Sequence, residues 1–260
     1  MSIFLSRLLI GAALLVIPVG MVAGPPWLTL LFGLIVPSLG LWELYAAFSK
    51  KEVHADFPGA VCASLLFQWA AYCGRTDWML FVLFAYLMTL LIRLTFGFIT
   101  KTEDMFVSLF GFLYVSGLFS FLPRMALENQ QLLLLVFLAS WGSDTSAYCI
   151  GTLFGRHKLM PRVTPKKTVE GAVGGIAGAA LLARLFQLLL FPTYSWIKVM
   201  LYVCIGSIFS QIGDLCASQF KRHVGIKDYS HLFGAHGGIL DRFDSVLFAA
   251  PVIWLLIHIG

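Results

Sequence analysis

Charge is what this 260-residue chain most lacks: Asp, Glu, Lys and Arg make up 12% of it, about half the roughly 25% usual in soluble domains. Hydrophobic residues make up 59%, and mean hydropathy is +0.88. So little polar surface cannot cover a water-facing globule, which excludes an ordinary soluble domain. Cysteine pairs at metal-ligand spacing are also absent. The five cysteines (Cys62, Cys73, Cys149, Cys204 and Cys216) lie in or beside apolar runs, and an odd number cannot all pair internally. They read as small residues packed within helices. There is no Ser/His/Asp arrangement, internal repeat or low-complexity tract.

What the chain has is apolar length. A run of about 20 apolar residues crosses a hydrocarbon core of about 30 Å as a helix. Nine such segments are read, at 5–23, 27–48, 57–73, 77–99, 104–123, 131–151, 169–191, 196–216 and 241–259. The expected fold is therefore an all-α polytopic membrane protein with about nine transmembrane helices. The first segment ends Met21-Val22-Ala23-Gly24, faintly like a signal-peptide cleavage site, but the spans that follow make it the first anchor.

The net charge of +5 sits in short segments between apolar runs rather than on a soluble face, so anionic lipid or a phosphate-rich substrate explains its sign better than nucleic acid. Placing the N-terminus inside gives the cytoplasm Arg7, Lys50, Lys51, Lys101, Arg156, Lys158, Arg162, Lys166, Lys167, Lys221, Arg222 and Lys227. Little beyond Arg75, Arg124 and Lys198 is left for the other face. Lys and Arg are retained on the cytoplasmic side, so the N-terminus is expected inside and the C-terminus outside. The two longest loops, 152–168 and 217–240, then share the cytoplasmic face. The chain divides into an anchoring and packing region, 1–130, and a catalytic region, 131–260, that carries both loops.

Glu43, Asp144, Asp214, Asp241 and Asp244 fall within or at the ends of these spans. Each Asp near mid-membrane costs about 2.5–3.5 kcal/mol on insertion scales, so such acids are functional candidates by default. Asp241 and Asp244 share a helix face, as do Asp214 and Ser218, and Asp144 and Tyr148. Three helices each present an acid near the same boundary. Converging carboxylates repel unless a cation sits among them, and hard oxygen ligands suit Mg²⁺. Asp214, Asp241, Asp144 and Asp244 are the expected ligands. Ion pairing, for instance of Asp241 or Asp244 with Arg242 and of Asp228 with Lys227, is the plainer reading. For Glu43 a structural hydrogen bond is expected.

Both loops carry groups that suit phosphate. Thr164-Pro165 has the form of a helix cap and first position, which places Lys166 and Lys167 in a first turn that already favours anions. A positive anchor flanking the span is the alternative for these lysines. Gly171, Gly174, Gly175 and Gly178 line one side of the seventh span and read as close helix packing. In the second loop, Gly237-Gly238 lets backbone amides approach an anion, and His236 beside them can donate a hydrogen bond.

The segment Ser218 to Asp244 resembles the signature of the phosphatidate cytidylyltransferases, or CDP-diacylglycerol synthases. It runs Ser-x-Phe-Lys-Arg, then Lys227-Asp228, then His-Gly-Gly-x-x-Asp-Arg-x-Asp. Asp144-Thr145-x-Ala147-Tyr148-x-x-Gly151 and Pro165-Lys166-Lys167-Thr168-x-Glu170-Gly171 are similar to the family's other two motifs. The likeness covers roughly 140–250. Ala217 stands where an acidic residue is expected, Gly234-Ala235 replaces a Pro-Gly, and Thr164 stands for a more usual serine.

The resemblance implies transfer of a cytidylyl group from CTP to phosphatidate, giving CDP-diacylglycerol and pyrophosphate for phospholipid biosynthesis. It implies Mg²⁺, with a monovalent cation such as K⁺ as a possible second ion. It further implies lateral lipid access, a homodimer, and a bacterial inner membrane with the site facing the cytoplasm. Asp214, Asp241, Lys166, Lys167, Lys221, Arg222 and His236 are the expected catalytic residues. Asp144, Ser218, Lys227, Asp228, Gly237, Gly238 and Arg242 are expected to bind substrate. Two rivals make different predictions. A CTP-dependent polyprenol or phytol kinase would release CDP, and a transporter would place its acids near mid-span with polar groups on both faces.

Overall fold

The computed structural model describes residues 18–190, 192, 194–234 and 237–259. Helix α1 (Pro26–Ser49) starts on Pro26, where a missing N–H leaves no intrahelical bond unmade. Helix α2 (Phe57–Tyr72) is capped by Asp56, whose carboxylate accepts the Gly59 N–H at 3.4 Å. Helix α3 (Thr76–Thr95) has Asp77 in its first turn and Arg93 in its last, each opposing the local end of the helix dipole.

A helical run from Thr102 to Phe154 follows. It comprises α4 (Thr102–Gly111), a π turn (Phe112–Gly117), α5 (Phe121–Asn129), a 3₁₀ turn (Gln130–Leu132), α6 (Leu133–Phe137), a second π turn (Leu138–Gly142) and α7 (Ser143–Phe154). A straight helix of 53 residues would be about 80 Å long, more than twice a hydrocarbon core. The π and 3₁₀ turns interrupt it, the π turns falling inside the expected segments 104–123 and 131–151 and the 3₁₀ turn at the start of the second. Strands β1 (Lys158–Met160) and β2 (Thr164–Thr168) come next, then α8 (Val169–Leu190), α9 (Trp196–His223) and α10 (Leu240–Ile259).

Among the described residues, six helices or helical runs are long and apolar enough to cross a membrane. The protein is an α-helical integral membrane protein. Helix α2, at 16 residues, reaches only about 24 Å and falls short by length. Of the expected segment 5–23, residues 5–17 lie outside the described residues, and 18–23 are helical.

One expectation is corrected. Thr164 does not cap a helix, and Lys166 and Lys167 do not sit in a first turn. They lie on β2, which pairs antiparallel with β1 in the register Lys158↔Thr168 and Met160↔Thr164, with a bulge between. Proline pushes the residue before it towards extended backbone, and two lysines oppose a helix N-terminus, so the strand wins. The cap lies four residues later. Thr168 accepts the Gly171 N–H at 3.1 Å and opens α8.

The chain forms two compact units. One comprises residues up to Gln130 together with His223–Arg242, and the other Gln131–Arg222 together with the chain from Phe243. In the first unit, polar groups buried between helices pair with one another. Gln68 donates to the Ser116 carbonyl at 2.7 Å, Ser116 donates to Ser64 at 2.7 Å, and the Tyr45 hydroxyl donates to the Ser108 carbonyl at 2.6 Å. Phe67 meets Phe112 edge-on at 5.3 Å.

In the second unit, α7 and α8 approach closely along the glycine stripe. A Cβ on Gly175 would lie 2.9 Å from both the Ser143 carbonyl and Ala147, and one on Gly178 would lie 2.4 Å from Ser146. The glycines pack helices, as their spacing suggested.

Candidate active site

In the second unit, the hairpin delivers one lysine to an acid. Side chains alternate along a strand, so Lys166 faces outward while Lys167 turns in and forms an ion pair with Asp214 of α9. A lysine expected to meet phosphate and an acid expected to hold metal are thus paired with each other. Asp214 remains partly exposed, with 21% of its side chain open.

Several contacts hold this arrangement. Arg222 donates from Nε to the Val163 carbonyl at 3.3 Å, tying the end of α9 to the turn before β2. Glu170 accepts the Arg156 and His157 backbone N–H groups at 3.0 and 3.1 Å and contacts His157 Nδ1 at 2.5 Å, fastening the start of the hairpin to α8. Gln211, one turn before Asp214, donates to Ser143 at 3.2 Å and to the Ala172 carbonyl at 3.0 Å. It links α9 to α7 beside Asp144, and to α8. Asp144 is half-buried at the start of α7, directly after the second π turn. Ser218, Lys221 and Asp244 are buried, and Asp244 accepts the Ser245 N–H at 2.7 Å.

In the first unit, the loop before α10 is organised by two carboxylates. Asp241 Oδ2 accepts the Tyr229 and Gly238 N–H groups, both at 2.9 Å. Glu43, fully buried in α1, accepts from Ser230 Oγ at 2.5 Å, Ile239 N at 2.9 Å and Leu240 N at 2.7 Å. The glycine pair lets backbone approach anions, and these anions belong to the chain itself. Gly237 has φ +76°, and a Cβ there would lie 2.8 Å from Asp241 Oδ2. A Cβ on Gly238 would lie 2.2 Å from Glu43 Oε1. Lys227 is exposed, while Asp228 and Arg242 are half-buried. His236 lies outside the described residues.

A family model described as the Cytidylyltransferase family matches residues 5–260. The chain belongs to this family. Proteins named phosphatidate cytidylyltransferase from Bacillus subtilis and Staphylococcus haemolyticus are 34% and 33% identical to it over 241 and 259 residues. The first alignment covers 87% of this chain and 88% of the relative, and the second 95% of each. Another of that name, from Staphylococcus saprophyticus, is 38% identical over 180 residues, which are 69% of this chain and 66% of the relative.

For a member of the Cytidylyltransferase family, the fit of a divalent cation depends on its acids. Among the described residues, no three His, Cys, Asp or Glu side chains are gathered as a metal-ligand group. One carboxylate has the hard-oxygen character that such a cation takes. Asp214 is a partly open carboxylate paired with Lys167.

The sequence reading missed the hairpin, the Glu170 and Gln211 braces and the Lys167–Asp214 pair. Only the β-branched Val163-Thr164 beside Pro165 hinted at a strand. It also passed over Asp56 and Asp104. Asp56 pairs with Arg93 at 2.6 Å, Asp104 accepts the His54 N–H at 2.7 Å, and both border a cleft of about 360 Å³ in the first unit.

Proposed function

We propose that this protein transfers the cytidylyl group of CTP to phosphatidate, releasing pyrophosphate and forming CDP-diacylglycerol. The observation that carries this reading is near end-to-end similarity to proteins named phosphatidate cytidylyltransferase.

The chemistry suits the residues. A phosphate monoester has its second pKa at about 6, so the lipid nucleophile is already largely ionised at neutral pH. It needs no general base, in keeping with the lack of a Ser/His/Asp arrangement. A phosphatidate oxygen attacks the α-phosphorus of CTP, the bond from that phosphorus to the β-bridging oxygen breaks, and pyrophosphate leaves. The obstacle is bringing two anions together. Lys166, Lys167, Lys221 and Arg222 lower that barrier by neutralising and orienting phosphates. Ser218, Lys227, Asp228, His236, Gly237, Gly238 and Arg242 are assigned to substrate contacts.

The proposed Mg²⁺ ligands are Asp144, Asp214, Asp241 and Asp244. Bound Mg²⁺ supplies charge stabilisation for the pyrophosphate leaving group. Lys167 holds Asp214, and with a cation on that carboxylate its ammonium would be left to neutralise phosphate. A monovalent cation such as K⁺ and a homodimeric state complete the proposal.

The proposed topology keeps nine spans, with the N-terminus cytoplasmic, the C-terminus outside and the active site at the inner face of a bacterial plasma membrane. The bias of Lys and Arg between loops supports it. Residues 1–130 anchor and pack, and 131–260 carry most of the chemistry.

The test is a substrate panel. Purified protein with CTP and Mg²⁺ should release pyrophosphate when given phosphatidate, and none when given diacylglycerol or a prenol. Turnover of an alcohol with release of CDP would overturn the assignment.

A further inference from the structure

Glu43 lies in an otherwise apolar stretch of α1, Trp42-Glu43-Leu44-Tyr45, and none of its surface is exposed. A carboxylate buried among apolar side chains is tolerated only when hydrogen-bond donors surround it. The three donors to Glu43, Ser230 Oγ and the Ile239 and Leu240 amides, come from one segment 187 to 197 residues downstream. The two amides belong to the start of α10, where the first N–H groups of a helix have no partner within it. The local sequence offers no side-chain cap just ahead of them, because Gly237-Gly238 precedes Ile239. Glu43 supplies the cap from another helix.

The contact is tight enough to constrain sequence. A Cβ on Gly238 would fall within 2.5 Å of Glu43 Oε1, Cδ and Oε2. On the other side of the same glycine, its N–H donates to Asp241 Oδ2 at 2.9 Å, as does the Tyr229 N–H. The loop is thus held between two carboxylates, and the one on α1 fixes the backbone from which the other projects.

We infer that Glu43 is a positioning residue for the transfer reaction. It fixes the 228–241 loop so that Asp241 is presented in one orientation, without itself touching substrate or metal. This rests on the proposed function only for its kinetic consequence. It gives the first 130 residues a part in the chemistry beyond anchoring.

The experiment compares Glu43→Gln, Glu43→Asp and Glu43→Ala with the unaltered full-length protein in detergent, by two readouts. Hydrogen exchange, without nucleotide or metal, should quicken in peptides covering 228–241 in the Gln and Ala variants. Peptides of the Trp196–Cys216 stretch should stay unchanged. In the transfer assay, losing such a support costs about 10–100-fold in turnover or metal affinity. The Mg²⁺ concentration for half-activation should therefore rise severalfold in the Gln and Ala variants, and Glu43→Asp should recover part of the loss.

Unchanged exchange at 228–241 would overturn the inference. So would exchange that rises throughout the protein with an unchanged Mg²⁺ midpoint, which marks a purely structural residue. If the unaltered protein transfers no cytidylyl group, the proposed function fails, and the exchange experiment still decides the positioning role.

Discussion

Lys167 on strand β2 and Asp214 on helix α9, 47 residues apart in sequence, form an ion pair. It joins a basic loop to an acidic helix, and it makes the two lysines of the hairpin unequal. Lys167→Ala leaves Asp214 without this partner and should lower turnover by about 100-fold or more, as loss of a preorganised charge in an active site does. Lys166→Ala, on the outward face, should chiefly raise KM for CTP. Steady-state kinetics of the two variants check this, and equal effects on kcat would contradict the strand geometry.

Gly225 and Gly237 both have φ +76°, but only Gly237 has a carboxylate beneath it. An alanine at either position meets a left-handed backbone cost of about 1–2 kcal/mol. Gly225→Ala should therefore lose only stability. Gly237→Ala should also displace Asp241 and lose turnover per folded molecule. Thermal unfolding measured alongside kcat separates the two effects.

Gly175 sits 2.9 Å, at its missing Cβ, from the Ser143 carbonyl and from Ala147. Backbone on one side leaves little room to yield. Gly175→Val should force α7 and α8 apart at a cost of roughly 1–3 kcal/mol, read as a lowered unfolding temperature in detergent.

Glu170 holds the backbone of Arg156 and His157. Glu170→Ala should release the start of the hairpin, so that amides of 155–160 exchange faster and a protease cuts there sooner. Helix α8 should remain folded, because Thr168 still caps it.

Some of this was legible in the sequence, and the division is physical. Apolar length reveals spans because a bilayer fixes how long a helix must be. The stripe of Gly171, Gly174, Gly175 and Gly178 reveals helix packing because its spacing is local. The hairpin was hidden because Thr164-Pro165 has the form of a helix start, and the true cap, Thr168, differs only by its neighbours. The pairing of Lys167 with Asp214, and of Glu43 with the amides of Ile239 and Leu240, joins residues far apart in the chain. Nothing local marks such partners, although a lone carboxylate in an apolar helix announces that some partner must exist.

The most direct test of the account follows the phosphorus atoms of CTP. Two preparations, one labelled at the α-phosphate and one at the γ-phosphate, are given to the purified protein with phosphatidate and Mg²⁺. The α-label should appear in the lipid and the γ-label in pyrophosphate, with both signals lost in Asp214→Asn and Asp241→Asn variants that still insert in the membrane. A γ-label in the lipid with the α-label left in CDP, or near-normal rates in either variant, would contradict it.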